Sequence, residues 1–258
     1  MDLHGRHALV CGASKGIGRA TALALAARGA HVTGLARTGP ALDSLVAAIG
    51  AAGGTGRALV ADLDDHAGLL ASVQGLLSEH GPVHILVHNT GGPPGGPLID
   101  APVDALRAAF HRHVLSAHAL LQVVLPGMTT AGYGRFINVL STSVYEPIPN
   151  LGVSNTTRAA MAAWAKSMSR ELPAGITINN VLPGFTDTDR LASLKAGVAS
   201  RTGTTEGAVE TAWLAQVPEG RLARPEETAA AIAFLASPDA AYVRGVSLPV
   251  DGGRLRGI

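Results

Sequence analysis

At 258 residues the chain has room for one α/β domain with a full sheet, and its wealth of Ala, Gly and Val with only 3% aromatics excludes a disordered or fibrous protein. The 20 basic and 19 acidic residues leave a formal charge of +1 with no block of like charge, which excludes the electrostatic footprint of a nucleic-acid or anionic-membrane binder. Cys11 is the single cysteine, so no intrachain disulfide can form, and no apolar stretch is long enough for a leader or a span. A cytoplasmic protein with no membrane partner is expected.

Short apolar runs alternate with longer amphipathic stretches. His7–Cys11 (HALVC) predicts a buried strand, followed by a helix from Gly16 to Arg28. His31–Ala36 (HVTGLA) predicts the second strand, with a helix over Leu42–Ala52. Arg57–Ala61 predicts the third strand and Ala67–His80 its helix; Val83–His88 predicts the fourth strand. One long helix is then expected from Val103 to Met128, before a fifth strand at Arg135–Leu140. Ser154–Leu172 reads as helix, Thr177–Leu182 as the sixth strand and Val246–Val250 as a short last one. The strands are nearly all apolar rather than alternating, as expected when helices cover both faces of a parallel sheet with right-handed crossovers. The polar, helix-like segment Asp187–Gly220 follows the sixth strand. In an open sheet it would sit over the carboxyl ends of the strands, where ligands bind, and a substrate lid is expected there.

The turn CGASKGIG joins the first strand to the first helix. Gly12, Gly16 and Gly18, with Ser14, Lys15 and Ile17 between them, keep the backbone bare at the positive end of a helix dipole, where a pyrophosphate can be held. An Asp or Glu at the end of the second strand would bond the ribose 2′-hydroxyl of NAD, but here Ala36 is followed by Arg37. Arg37 offers a 2′-phosphate a charged fork, and Lys15 lies within reach as a second cation, so NADP(H) is the expected cofactor. Asp62, with Leu63 beside it, is placed for the adenine amino group, and Asn89 and Gly91 for the adenine ribose.

With these residues the chain resembles the short-chain dehydrogenase/reductases, in particular the 3-oxoacyl-carrier-protein reductases. The resemblance runs over nearly the whole length. It rests on the glycine turn, Asp62, HNTG at His88–Gly91, GRFINVLS at Gly134–Ser141, Pro183–Gly184, GRLARPEE at Gly220–Glu227 and VDGG at Val250–Gly253. It implies a single-domain Rossmann-type sheet of about seven strands, a homotetramer, and hydride transfer between NAD(P)H and a small-molecule carbonyl or alcohol. It also implies that Thr188 touches the nicotinamide end of the cofactor.

The resemblance breaks at proton delivery. Ser141 matches the family's serine, but thirteen residues on stands Ser154 instead of tyrosine, and four further Arg158 instead of lysine. His113 occupies the asparagine position. A serine hydroxyl is far less acidic than a phenol, whose pKa is about 10, and arginine does not release its proton. Three replacements are candidates: Tyr145, acidified by Arg158; His113, titrating near neutrality; and Ser154 beside Ser141 as an oxyanion donor, with water giving the proton. No metal site is read. A carbonyl reductase with non-standard proton delivery is the leading expectation. A non-redox protein keeping NADPH as a structural or sensing ligand, and a lyase or isomerase on the same scaffold, stay open.

Overall fold

The computed structural model describes residues 1–257. Seven parallel strands form one sheet in the order β3-β2-β1-β4-β5-β6-β7. They are β1 (His7–Cys11), β2 (His31–Ala36), β3 (Thr55–Val60), β4 (Ile85–Asn89), β5 (Gly134–Val139), β6 (Ile176–Pro183) and β7 (Ser247–Val250). The order reverses between β1 and β4, so their carboxyl ends open a crevice at the switch point.

Each strand sends alternate side chains to opposite faces, and two apolar clusters result. On one face Val10 of β1 packs with Ala22 and Leu25 of α1 (Gly16–Ala26), Leu42, Leu45 and Ile49 of α2 (Gly39–Ala51), and Ile232 and Leu235 of α9 (Pro225–Ala236). On the other, Leu9 and Cys11 meet Leu69 and Val73 of α3 (His66–His80), Leu120 and Val124 of α5 (Ser116–Thr130), and Met161 and Ala165 of α6 (Gly152–Glu171). Each fully buried Leu or Ile contributes about 1.5–3 kcal/mol, so this double layer fixes the sheet and its carboxyl edge.

The strands at the rims differ from the expectation of uniformly buried runs. Val60 ends β3 at 56% exposure, because β3 is an edge strand. The predicted long helix also divides. α4 (Val103–Phe110) passes through a π-helical turn, His111–Leu115, into α5. Such a turn widens the helix by one residue and re-aims the side chains it carries. The segment over the carboxyl ends holds α7 (Asp189–Thr202) and α8 (Glu206–Leu214), joined by the Lys195–Glu210 ion pair at 2.6 Å. No described helix is long and apolar enough to cross a membrane.

Candidate active site

A cleft of about 780 Å³ runs along the carboxyl ends of the central strands, from Arg37 past the glycine turn to Ser154 and α7. The turn is built for close approach. Gly12 has φ +62°, a conformation that favours glycine, and a Cβ on Gly18 would lie 2.1 Å from the Gly12 carbonyl oxygen. Asn89 Nδ2 reaches the same oxygen at 3.5 Å, tying β4 to the turn. The first turn of α1 carries no acidic side chain, so its backbone N–H groups and dipole face the cleft uncompensated. The bare cradle, the cationic helix end and Arg37 at the end of β2 fit a phosphorylated dinucleotide. Arg37 has no ion-pair partner among the described residues.

The expected cofactor residues converge. Gly12, Ser14, Lys15, Gly16, Ile17, Arg37, Asp62, Leu63, Asn89, Gly91, Pro183, Gly184 and Thr188 all line the cleft; Gly18 lies buried behind the turn it shapes. Lys15 departs from its expected role beside Arg37. Its ammonium pairs with Asp189 at 2.9 Å, joining the glycine turn to the first residue of α7. The positive charge beside Asp62 comes instead from Arg112, which lines the cleft and forms a two-pronged pair with Asp64. The Arg112 guanidinium holds the Asp64 carboxyl below the usual carboxylate range.

At the far end Ser141, Ser154 and Arg158 share the cleft wall. Ser141 caps a short 3-10 turn. Its oxygen accepts from Ser143 N at 3.1 Å, which leaves the hydroxyl proton free to be donated outward. Ser154 lies in the first turn of α6, and Arg158 follows one turn later. The Arg158 guanidinium is buried and spans the ends of two strands, donating to the carbonyls of Val139 at 2.7 Å and Thr90 at 3.3 Å. A guanidinium carries more donors than these two bonds use. Burial, and then the charge of Arg190, bring Arg158 down to about 10, so it stays charged at neutral pH.

The other two candidates are not brought to the cleft. Tyr145 is 56% exposed, and its hydroxyl donates to the Ser247 carbonyl at 3.1 Å, which staples it to edge strand β7. His113 sits on the π-helical turn, 1% exposed, with Nδ1 against the Thr90 hydroxyl. Burial, reinforced by Arg158, drives its basicity far down and keeps it neutral. It lies behind Thr90 rather than beside the serines. Of the apolar residues on α7 and α8, Leu191 and Leu194 line the cleft, while Trp213 stacks on Phe185 at 5.0 Å between ring centroids.

Sequence reasoning missed Thr90, Gly92, Arg112 and Arg190 as cleft residues. Arg190 carried no motif signal. Its position becomes legible only where α7 folds over the loop after β4, with its guanidinium donating to the Pro93 carbonyl at 2.6 Å.

The family model described as Enoyl-(Acyl carrier protein) reductase matches residues 12–254. The 3-oxoacyl-(acyl-carrier-protein) reductase FabG of Vibrio cholerae is 37% identical over 256 residues, covering 98% of each chain. The chain belongs to the short-chain dehydrogenase/reductase family. A Streptomyces virginiae protein, the monensin polyketide synthase putative ketoacyl reductase, is 35% identical over 96% of each chain. Among solved structures, L-sorbose reductase from Gluconobacter frateurii, complexed with NADPH and L-sorbose, superposes with a TM-score of 0.93 at 27% identity. That match covers 100% of this chain and 99% of the other. A 7α-hydroxysteroid dehydrogenase complexed with NADH and a 7-oxo bile acid gives a TM-score of 0.90 at 31% identity, covering 99% and 96%. As a short-chain dehydrogenase/reductase, the chain has the seven-stranded parallel sheet of its solved neighbours.

Proposed function

We propose that the protein is an NADP(H)-dependent reductase of a small carbonyl compound in which two serines and a buried arginine replace the usual phenol and lysine. The observation that carries this reading is the convergence of Ser141, Ser154 and Arg158 on one wall of the cleft that the glycine turn opens. The bound cofactor supplies hydride to the carbonyl carbon. Ser141 donates to the carbonyl oxygen from a hydroxyl whose lone pair is already engaged by Ser143 N. Ser154 supplies the second donor. Its hydroxyl passes a solvent proton to the developing alkoxide, since it is too weak an acid to release its own. Arg158 is the fixed charge beneath them, stabilising the oxyanion and holding the nicotinamide ribose without exchanging a proton. His113 is a positioning residue: neutral and buried, it holds the Thr90 side chain, while the Thr90 carbonyl receives Arg158.

The rest of the reading concerns the frame. Residues 1–258 form one dinucleotide-binding domain, with 187–220 as a lid hinged over the cleft. The chain works as a homotetramer in the cytoplasm. Supporting association, Leu98 and Ile99 before α4, Val103 and Phe110 at its ends and Leu115 at the end of the π-helical turn leave apolar surface open. The one thiol, Cys11, is buried and pushed up to about 12 by desolvation, which makes it inert.

The test is NADPH oxidation across a panel of ketones, aldehydes and 3-oxoacyl thioesters with three proteins. Wild type turns over at least one class, and Ser154→Ala lowers kcat by about 10²–10³-fold, the usual cost of losing an oxyanion donor. Tyr145→Phe matches wild type. Tight NADPH binding with no turnover of any carbonyl would reject the reading in favour of a non-redox role.

A further inference from the structure

The charges at the far end of the cleft do not balance. Arg158 and Arg190 both line it, and both hang from one short stretch of chain, Arg158 on the Thr90 carbonyl and Arg190 on the Pro93 carbonyl. Three residues of chain separate these oxygens by at most about 11 Å. Neither guanidinium has an ion-pair partner among the described residues. The carboxylates that share the cleft wall are Asp62 and Asp189. Asp189 is taken by Lys15, and Asp62 accepts from the backbone N–H of Asp64 at 3.1 Å, near the predicted adenine end. Two like charges in one cleft repel, and each lowers the other's comfort in a partly desolvated wall. An anionic ligand removes that cost.

Arg190 stands at the edge of the cofactor cradle, one residue after Asp189, which pairs with Lys15 of the glycine turn. Its guanidinium lies on Gly92, where an added Cβ would sit 3.2 Å from Nη2. From Gly92 the loop runs on to Gly96, which bridges to Leu151 at the start of α6, the helix that carries Ser154. The loop that Arg190 holds therefore leads to the start of α6, and Leu151, Leu191 and Leu194 line the same cleft as Arg190 and Ser154. Arg190 stays exposed there, open to a ligand.

We propose that the substrate is a small oxo acid whose carboxylate is received by the Arg190 guanidinium while its ketone faces Ser141 and Ser154. This rests on the reductase reading and names its substrate class. The planar fork of an arginine matches a carboxylate through two parallel N–H donors, so Arg190 sets specificity and also fixes which carbonyl of the chain meets the serines. Leu151, Leu191 and Leu194 take the aliphatic remainder.

The experiment measures kcat/KM with NADPH for 2-oxobutanoate, 3-oxobutanoate and 4-oxopentanoate, each against its methyl ester. It uses wild type, Arg190→Gln and Arg190→Lys, with the NADPH Kd of each taken by calorimetry. The expected result is an acid preferred over its ester by about tenfold or more in wild type, with the ratio near one in Arg190→Gln, partial recovery in Arg190→Lys and NADPH affinity unchanged. Equal use of acids and esters by wild type overturns the inference. So does an Arg190→Gln variant whose deficit is a weakened NADPH Kd, because Arg190 would then serve the cofactor's phosphates. If no acid or ester is reduced, the reductase reading fails by itself. Calorimetry of the NADP⁺-loaded protein with the matching hydroxy acids and their methyl esters then decides the anion site separately: acid-selective binding lost in Arg190→Gln upholds it, and its absence overturns it.

Discussion

At the scale of single residues the cofactor choice rests on Arg37. With Lys15 drawn to Asp189, Arg37 is the cation left at the end of β2 for a 2′-phosphate. Arg37→Ser is expected to weaken NADPH by about 10–100-fold, the worth of one charge-assisted bond or pair, while leaving NADH nearly unaffected. Fluorescence titration of both cofactors checks it. His88 offers a second test at this scale. It is buried with Nε2 against Ser116 Oγ at 3.0 Å, and desolvation first, then Arg158, brings it to about 3. Its folded value lies below the ordinary 6.5, so the unfolded chain takes up the proton first, and stability present above pH 6.5 is lost as pH falls toward 3. His88→Asn is expected to lose about 2 kcal/mol less than wild type between pH 7 and pH 5, read from urea midpoints at the two values. Residue types and spacing pointed to Ser141, Ser154, Arg158 and the cofactor candidates, nearly all of which line one cleft. The contacts of Tyr145 and Lys15 were not legible in the sequence, because a side chain's reach depends on what lies opposite it. The Ser247 carbonyl and Asp189 are both more than a hundred positions away in the chain.

At the scale of elements, periodicity located every strand, since buried parallel strands are continuous apolar runs. It misjudged the rims, where β3 and the short β7 are half covered. It also could not see the π-helical turn at His111–Leu115, because one extra residue in a helical pattern leaves the apolar period almost intact. That turn nevertheless decides the cleft, since it sends Arg112 to Asp64 and His113 to Thr90. α6 carries Ser154 and Arg158 one turn apart on one face, so the two can be exchanged together. Ser154→Tyr with Arg158→Lys rebuilds the phenol and ammonium on the same helical face. The double variant is expected to raise kcat by about tenfold or more, at the low end of what a positioned general acid contributes. Arg158→Lys alone is expected to lower it, because an ammonium cannot span the Val139 and Thr90 carbonyls with the fork geometry seen here. Steady-state kinetics of the single and double variants, compared as a cycle, measures the coupling.

At the scale of the molecule, the doubly wound sheet opens the cleft along the carboxyl ends of its strands. The glycine turn follows β1, Arg37 follows β2, Asn89 ends β4, Ser141 follows β5 and Pro183–Gly184 close β6. That architecture accounts for a dinucleotide site whatever happens to the proton donor, and it leaves one claim to decide: whether hydride leaves the cofactor for a substrate carbon. NADPH deuterated at the transferable position of its nicotinamide, incubated with the protein and the oxo acids and esters named above, puts this directly to mass spectrometry of the products. The account predicts an alcohol carrying one deuterium at the former carbonyl carbon, and loss of that product in Ser154→Ala. A protein that binds NADPH yet yields no labelled alcohol, or converts a substrate into an unlabelled product, would contradict it.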